Sequence, residues 1–254
     1  MKATLVVIPA RLGSTRLPRK VLKPLGGKPV VEWCRQAAVK SGVGPVVVAT
    51  DSPEVLRAVE SHGGTAVLTP TDCPSGTDRV RAALRALEQA GRRRYSFIIN
   101  LQGDEPFIRP ATIRSVAEML WKGAPMATAV APLGGPDEAC DPNVVKVAMA
   151  AGGRCLYFSR APIPFKRSQS GNGSASEGPM VRHIGIYGYS RKSLERFVSL
   201  PPSGLELIER LEQLRALEDG IPIFACETRD IPLAIDTAAD FRRAGRIVGR
   251  AGLK

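Results

Sequence analysis

In the stretch VVIPARLGSTRLPRK, residues 6–20, an apolar run opens into a segment carrying Arg11, Arg16, Arg19 and Lys20 among Gly13, Ser14, Thr15 and prolines. Guanidinium groups match phosphate oxygens with paired N–H donors, lysine adds a compact point charge, and backbone amides near Gly13 offer further donors. Such a set of side chains suits the binding of a polyanion. The segment has neither GxGxxG nor GxxxxGK[ST], which weighs against a dinucleotide-binding turn or a P-loop. The alternative is a solvated basic loop. Against it, Pro9, Pro18 and Pro24 stiffen a segment that a floppy loop would leave free.

A second stretch, FIINLQGDEPFI at 97–108, ends an apolar run in Gln102, Gly103, Asp104 and Glu105. Carboxylate oxygens beside a phosphate site suit magnesium, which commonly takes one or two protein carboxylates together with phosphate oxygens and water. Taken alone, the stretch is equally an acidic turn after a strand. A candidate second carboxylate, Asp236, follows another short apolar run in LAIDTAADF. PSGTDR at 74–79 reads both as a turn and as a helix start in which Ser75 or Thr77 supplies the cap oxygen. Of the two histidines, His62 belongs to the last turn of a helix, whereas His183 sits between strand residues as a core histidine or a ligand.

The elements that must position these groups follow from periodicity. Short β-branched runs at 4–8, 45–49, 65–68, 96–101, 126–131 and 144–148 alternate with segments of helical period, predicting parallel strands joined by crossover helices. Helix starts are marked by Ser52–Pro53, by Thr77 or Asp78, and by Pro110, and His62-Gly63-Gly64 marks a stop. Beyond about residue 153 the pattern changes. RCLYFSRAPIPF and RHIGIYGYS are strand-like and enclose KRSQSGNGSASEGP (166–179), which reads as a mobile loop. An amphipathic helix GLELIERLEQLRALEDG, a strand PIFACE and a last helix from about Thr237 complete the chain. The expected fold class is α/β, a Rossmann-like doubly wound, mostly parallel sheet. One domain spans 1–254, with a smaller β-rich excursion at about 155–190 serving a sugar pocket or a dimer surface. Ligands of such sheets bind beyond the carboxyl ends of the strands, where the basic loop lies.

Bulk properties narrow the class. A hydrophobic fraction of 44% and 254 residues allow a sizeable core. No run of about 18 apolar residues occurs, so no membrane span is expected. The early strand leaves no room for a signal segment, and a cytoplasmic protein is expected. Cys34, Cys73, Cys140, Cys155 and Cys226 are scattered without metal-ligand spacing, so they read mostly as buried small hydrophobes. The net charge of +12 favours acidic partners without choosing among them. Aromatics are only 5% and no RRM, KH or helix-turn-helix signature is found, so no specific nucleic-acid partner is expected.

The order of VVIPARLGSTRLPRK, VVVATD, PSGTDR, INLQGDEPFI, NVVKVAM, LYFSRAPIPF, RHIGIYGY, LELIERLEQLRALEDG and IDTAADF resembles that of the 3-deoxy-manno-octulosonate cytidylyltransferase (CMP-Kdo synthetase) family. The opening motif is shared among sugar nucleotidyltransferases; LYFSRAPIP, RHIGIYGY and LEQLR specify the sugar. The resemblance implies transfer of CMP from CTP to 3-deoxy-D-manno-octulosonate (Kdo) with release of pyrophosphate, serving lipopolysaccharide assembly, by a homodimer. It implies that Arg11, Arg16 and Lys20 cradle the phosphates and that Asp104 and Asp236 hold one or two Mg2+ ions. It assigns Pro9, Ala10, Ser14, Pro74, Ser75, Gly76, Thr77, Arg79 and Gln102 to the nucleotide side. To the sugar it assigns Gln102, Arg160, His183, Tyr187, Glu212 and Gln213, with Arg160 on the carboxylate and the rest on hydroxyls. Without it, Glu212 and Gln213 would read as an exposed helical face. Three positions depart from the family pattern: Leu12-Gly13, Cys73 before the SGT turn, and IPLAIDT, which lacks a glycine before the aspartate. The alternatives are transfer to another acidic sugar, such as a sialic-acid-like or amino-Kdo acceptor, a basic nucleic-acid-binding protein, and a catalytically silent relative.

Overall fold

The structure is a computed structural model that describes residues 2–13, 16–91, 93–165 and 180–250. Ser14 and the expected loop at 166–179 lie outside the described residues. In chain order the elements are β1 (Thr4–Pro9), a 3₁₀ turn (Lys20–Leu22), β2 (Pro24–Leu25), β3 (Lys28–Pro29), α1 (Val30–Ser41), β4 (Val46–Thr50), α2 (Pro53–Ser61), β5 (Ala66–Leu68), α3 (Gly76–Gln89), β6 (Phe97–Leu101) and α4 (Pro110–Trp121). They continue with β7 (Met126–Pro132), α5 (Pro136–Cys140), β8 (Lys146–Met149), β9 (Cys155–Ser159), β10 (Val181–Ser190), α6 (Arg191–Ser199), α7 (Gly204–Glu209), α8 (Gln213–Glu218), β11 (Ile223–Glu227) and α9 (Ala238–Arg250).

The main sheet runs β11-β7-β10-β6-β1-β4-β5, with β8 on β10 and β9 on β8. Strand β1 is parallel to β4 and β6, β4 to β5, and β7 to β11, as the alternation of strands and helices predicts. Strand β10 runs antiparallel between β6 and β7, and their register with β7 slips between Ile184 and Tyr187. The run at 144–148 departs from expectation: it begins at Lys146 and pairs antiparallel with β10 and β9. The chain turns back through Gly152 and Gly153, both at φ +82°, and a short turn can join only antiparallel strands.

Alternation along β1 decides the two layers. Leu5 and Val7 face one core with Val80 and Leu84 of α3, Phe197 of α6 and Leu214 of α8. Val6 and Ile8 face the other with Val31 and Ala38 of α1, Val55 of α2 and Ile113 and Val116 of α4. Successive strand side chains point to opposite faces, so an all-apolar strand such as β1 is buried on both. Helix α2 starts as expected: the Ser52 hydroxyl accepts from the Glu54 and Val55 amides and Pro53 opens the first turn. At α3 the cap is Ser75, which accepts from the amides of Thr77 and Asp78.

The amphipathic run at 204–220 does not form one helix. It breaks into α7 and α8 at Arg210, which adopts φ 55°, ψ 47°. The buried Arg215 folds back on Glu206, with Nε and Nη2 at 2.7 and 2.5 Å from its carboxylate oxygens. A continuous helix would place these residues nine positions and two and a half turns apart, too far for that pair.

Candidate active site

The basic loop is turned toward the acids by its backbone. Arg19 has left-handed φ 58° and ψ 24° immediately before the 3₁₀ turn, and its amide bonds Leu12 O at 3.4 Å. Its own guanidinium pairs with Glu54, while Lys20 points inward. A third small core of Leu17, Leu25, Val30, Ile235, Ala244 and Val248 ties this loop to the late segment that carries Asp236. Ile235 donates its amide to Asp104 O at 2.9 Å, which sets the two aspartates side by side. Asp236 then leads into α9, where the Asp240 carboxylate accepts from the Thr237 amide at 2.8 Å.

At this junction Lys20 Nζ lies 2.5 Å from Asp104 Oδ2 and 3.0 Å from Asp236 Oδ1. Arg16 reaches the same Asp236 oxygen at 3.2 Å. Burial alone would lower the Lys20 pKa, but the two carboxylates outweigh it and leave it raised, so the ammonium stays charged. Asp104 Oδ1 is buried without a hydrogen-bond partner. An orphaned carboxylate oxygen beside a second carboxylate is the donor chemistry of a hard cation, so the pair fits magnesium. Arg11 is exposed and makes no ion pair among the described residues, which leaves its charge uncommitted.

The turns around this cluster approach one another closely. A Cβ on Gly103 would lie 3.0 Å from Pro9 O, and one on Gly76 would lie 3.7 Å from the Pro9 ring. The ends of β1 and β6 and the 74–79 turn, with Pro9, Ala10, Pro74, Ser75, Gly76, Gln102 and Gly103, therefore converge at one rim. Arg79 is placed differently from its neighbours. Its buried guanidinium donates to Asp51 at 2.8 Å, to Thr69 at 2.6 Å and to Pro70 O at 3.2 Å, so it braces the turn against the ends of β4 and β5. Glu105, at the rim by its sequence position, turns inward instead. Its Oε1 accepts from the Gly185 amide at 3.1 Å and its Oε2 is buried without a partner. Burial, reinforced by the charge of Asp104, pushes this carboxyl up to about 8.

The residues assigned to the sugar come together along β10, α7 and α8. Arg160 donates through Nε to Glu209 O at 2.8 Å, through Nη1 to Pro142 O at 2.8 Å and through Nη2 to Arg210 O at 3.4 Å. These are the C-terminal carbonyls of α7 and a loop carbonyl, neutral acceptors that suit a cation. The Glu209 carboxylate also lies close by, accepting from the Arg160 backbone amide at 2.9 Å, but the guanidinium itself keeps two spare N–H groups, since it has five. The rings of His183 and Tyr187 lie 5.0 Å apart. Burial, with a smaller push from Arg182, lowers the His183 pKa to about 3, so the ring is neutral. Glu212, whose carboxyl burial pushes up, accepts from Thr77 Oγ1 at 3.0 Å. Thr77 belongs to the 74–79 turn, so one hydrogen bond joins that turn to the residues assigned to the sugar. Gln213 is buried in the first turn of α8; neither it nor Glu212 forms an exposed face.

Two neighbours of the site left no mark in the sequence. Thr128, the sole hydroxyl-bearing residue of MATAVAP, is buried 2.9 Å from His183 Nε2. Asn100, inside the apolar β6, donates toward Thr77 Oγ1 at 3.5 Å. Both lie in strands that read as plain core.

Comparison with known proteins matches this geometry to a family. The cytidylyltransferase family model covers residues 5–228. A 3-deoxy-manno-octulosonate cytidylyltransferase from Nitrobacter hamburgensis is 48% identical over 250 residues, 96% of this chain and 92% of the relative. One from Methylobacterium radiotolerans is 45% identical over 249 residues, 96% of each chain. The solved structure of CMP:2-keto-3-deoxy-manno-octonic acid synthetase complexed with CTP superposes with a TM-score of 0.88 at 36% identity, covering 98% of this chain and 100% of that one. With its cluster of cations and paired aspartates at the carboxyl rim of a mostly parallel sheet, the chain belongs to the cytidylyltransferase family, as a nucleotidyltransferase of the 3-deoxy-manno-octulosonate cytidylyltransferase group.

Proposed function

We propose that this protein transfers CMP from CTP to Kdo, releasing pyrophosphate, in a magnesium-dependent reaction that activates the sugar for lipopolysaccharide assembly in the cytoplasm. The observation that carries the proposal is Lys20 held between Asp104 and Asp236, with Arg16 on the same carboxylate. The anomeric hydroxyl oxygen of Kdo attacks the α-phosphorus of CTP and gives up its proton to solvent. The bond from that phosphorus to the bridging oxygen breaks, and pyrophosphate leaves with the electron pair. No enzyme nucleophile is required, so the protein's work is positioning and charge stabilisation. Lys20, Arg16 and the uncommitted Arg11 bind and orient the triphosphate. Asp104 and Asp236 would hold magnesium, which when bound neutralises charge on phosphate oxygens. Arg160 takes the sugar carboxylate, and His183, Tyr187, Glu212, Gln213 and Gln102 take its hydroxyls. The Thr77–Glu212 hydrogen bond sits where the two substrates would meet.

No helix among the described residues is long and apolar enough to cross a membrane. Phe165 at 87% exposed and Ile208 at 79% lie on the excursion and on α7, to which Arg160 is hydrogen-bonded. They supply the apolar side chains that a homodimer would cover. A panel of sugar acids assayed for pyrophosphate release, with CTP against UTP and with and without magnesium, tests the assignment. Turnover is expected with CTP, Kdo and magnesium together. Preference for a sialic-acid-like or amino-Kdo acceptor would reassign the sugar.

A further inference from the structure

Thr128 lies where β7 and β10 slip out of register. Its buried hydroxyl is 2.7 Å from Ile186 O and 2.9 Å from His183 Nε2, with Ile184 O farther off at 3.5 Å. A hydroxyl has one proton, and a carbonyl oxygen can only accept. The 2.7 Å contact must take that proton, because otherwise two oxygens would face each other at that distance with no hydrogen between them. His183 Nε2 is then the donor to Thr128 Oγ1. Since the ring is neutral, its only N–H proton is on Nε2, and Nδ1 carries a bare lone pair. Nδ1 has no hydrogen-bond partner among the described residues. The ring is held edge-on to Phe158, with centroids 5.5 Å apart, and against Tyr187.

We propose that Thr128 is a positioning residue of the sugar site: it holds His183 as the Nε2–H tautomer, so that Nδ1 presents a hydrogen-bond acceptor to a hydroxyl of a polyhydroxylated sugar acid. The inference rests on the assignment of His183 to the sugar side. It also orients the ligand. A bare imidazole nitrogen repels a carboxylate, whose oxygens are acceptors too, so the acid group of the sugar turns away from His183 and toward the spare N–H groups of Arg160. The depressed His183 pKa agrees with a ring that stays neutral at working pH.

The full chain, uniformly 15N-labelled, tests this by long-range 1H–15N correlation spectra of the imidazoles. Only two histidines contribute, and His62 is an internal contrast, because its Nδ1 lies 2.8 Å from Ala58 O and must be the protonated nitrogen. His183 is expected to show a protonated Nε2 and a bare Nδ1. A protonated Nδ1 on His183 overturns the proposal, and this reading does not depend on any variant folding or on which sugar is used. Thr128→Val should raise the KM for Kdo about tenfold, roughly one lost hydrogen bond, with the KM for CTP within about twofold. Thr128→Ser, which restores the hydroxyl, should return the Kdo value. Parallel changes in both constants, or no rescue by serine, would show that Thr128 only packs the sheet. If the wild-type chain fails to turn over Kdo, the assigned reaction is wrong, and the tautomer still stands or falls on the spectrum.

Discussion

Removing the Lys20 ammonium separates the two tasks assigned to the cation cluster. Lys20 is 14% exposed, and its partners Asp104 and Asp236 are 18% and 39% exposed. A solvated ion pair contributes about 0–1 kcal/mol, whereas stripping one partner from a buried pair costs about 3–5 kcal/mol. This half-enclosed arrangement falls between those cases. Lys20→Ala should therefore lower stability by about 2 kcal/mol, or Tm by about 4–8 °C in a domain of this size. The carboxylates then face each other with only Arg16 against them, and a divalent cation should bind them more readily than in the parent. Magnesium at about ten times its Kd would restore about 1.4 kcal/mol, so the Tm of the variant should climb with magnesium more steeply than that of the parent. Turnover should not recover, because the ammonium is also needed on the triphosphate; loss of one such charge-stabilising donor lowers kcat by about 100-fold or more. Thermal melts across a magnesium titration and pyrophosphate release at saturating CTP measure the two effects. Parent-level turnover would remove Lys20 from catalysis. A variant Tm indifferent to magnesium would remove Asp104 and Asp236 as a cation site.

Arg160→Ala should raise the KM for Kdo by about 100-fold, the loss of a charge-assisted pair of about 3 kcal/mol, with the KM for CTP little changed; steady-state kinetics with each substrate varied in turn would refute the carboxylate assignment if both rise together. His183 ties stability to pH. Its pKa is about 3 in the fold against about 6.5 in the unfolded chain, so it contributes nothing to the pH dependence above that upper value. As pH falls below it, only the unfolded state takes up the proton, and stability is lost down to about pH 3, with about 2 kcal/mol gone by pH 5. Denaturant unfolding of the parent and His183→Gln should therefore diverge between pH 7.5 and 5, with the parent losing more. Parallel curves would mean that the ring protonates freely in the fold.

Much of this protein is legible in local residue types, because strands, crossover helices and caps are set by near neighbours. The apolar run at 4–8, the Ser52–Pro53 start and the Arg and Lys side chains after β1 need no tertiary partner to be recognised. The paired roles of Asp104 and Asp236 could be guessed from acids following apolar runs. Their meeting on one ammonium depends on the Ile235 amide and Asp104 carbonyl, a contact across more than 130 residues. What lies behind the site was hidden for the same reason. Arg79 looks like a free cation until the fold gives it Asp51 and Thr69, and Glu105 looks like a rim acid until the β10 bulge covers it. The run at 204–220 reads as one helix because periodicity cannot see the Glu206–Arg215 pair that closes it at Arg210. Residue chemistry by itself thus pointed to a polyanion as ligand and to the segment after β1 as its place. Only the packing of distant segments decided which charges turn inward as braces, as Arg79 does on Asp51 and Thr69, and which gather at the rim, as Lys20 does with Asp104 and Asp236, because side chains far apart in sequence can meet only once the chain has folded.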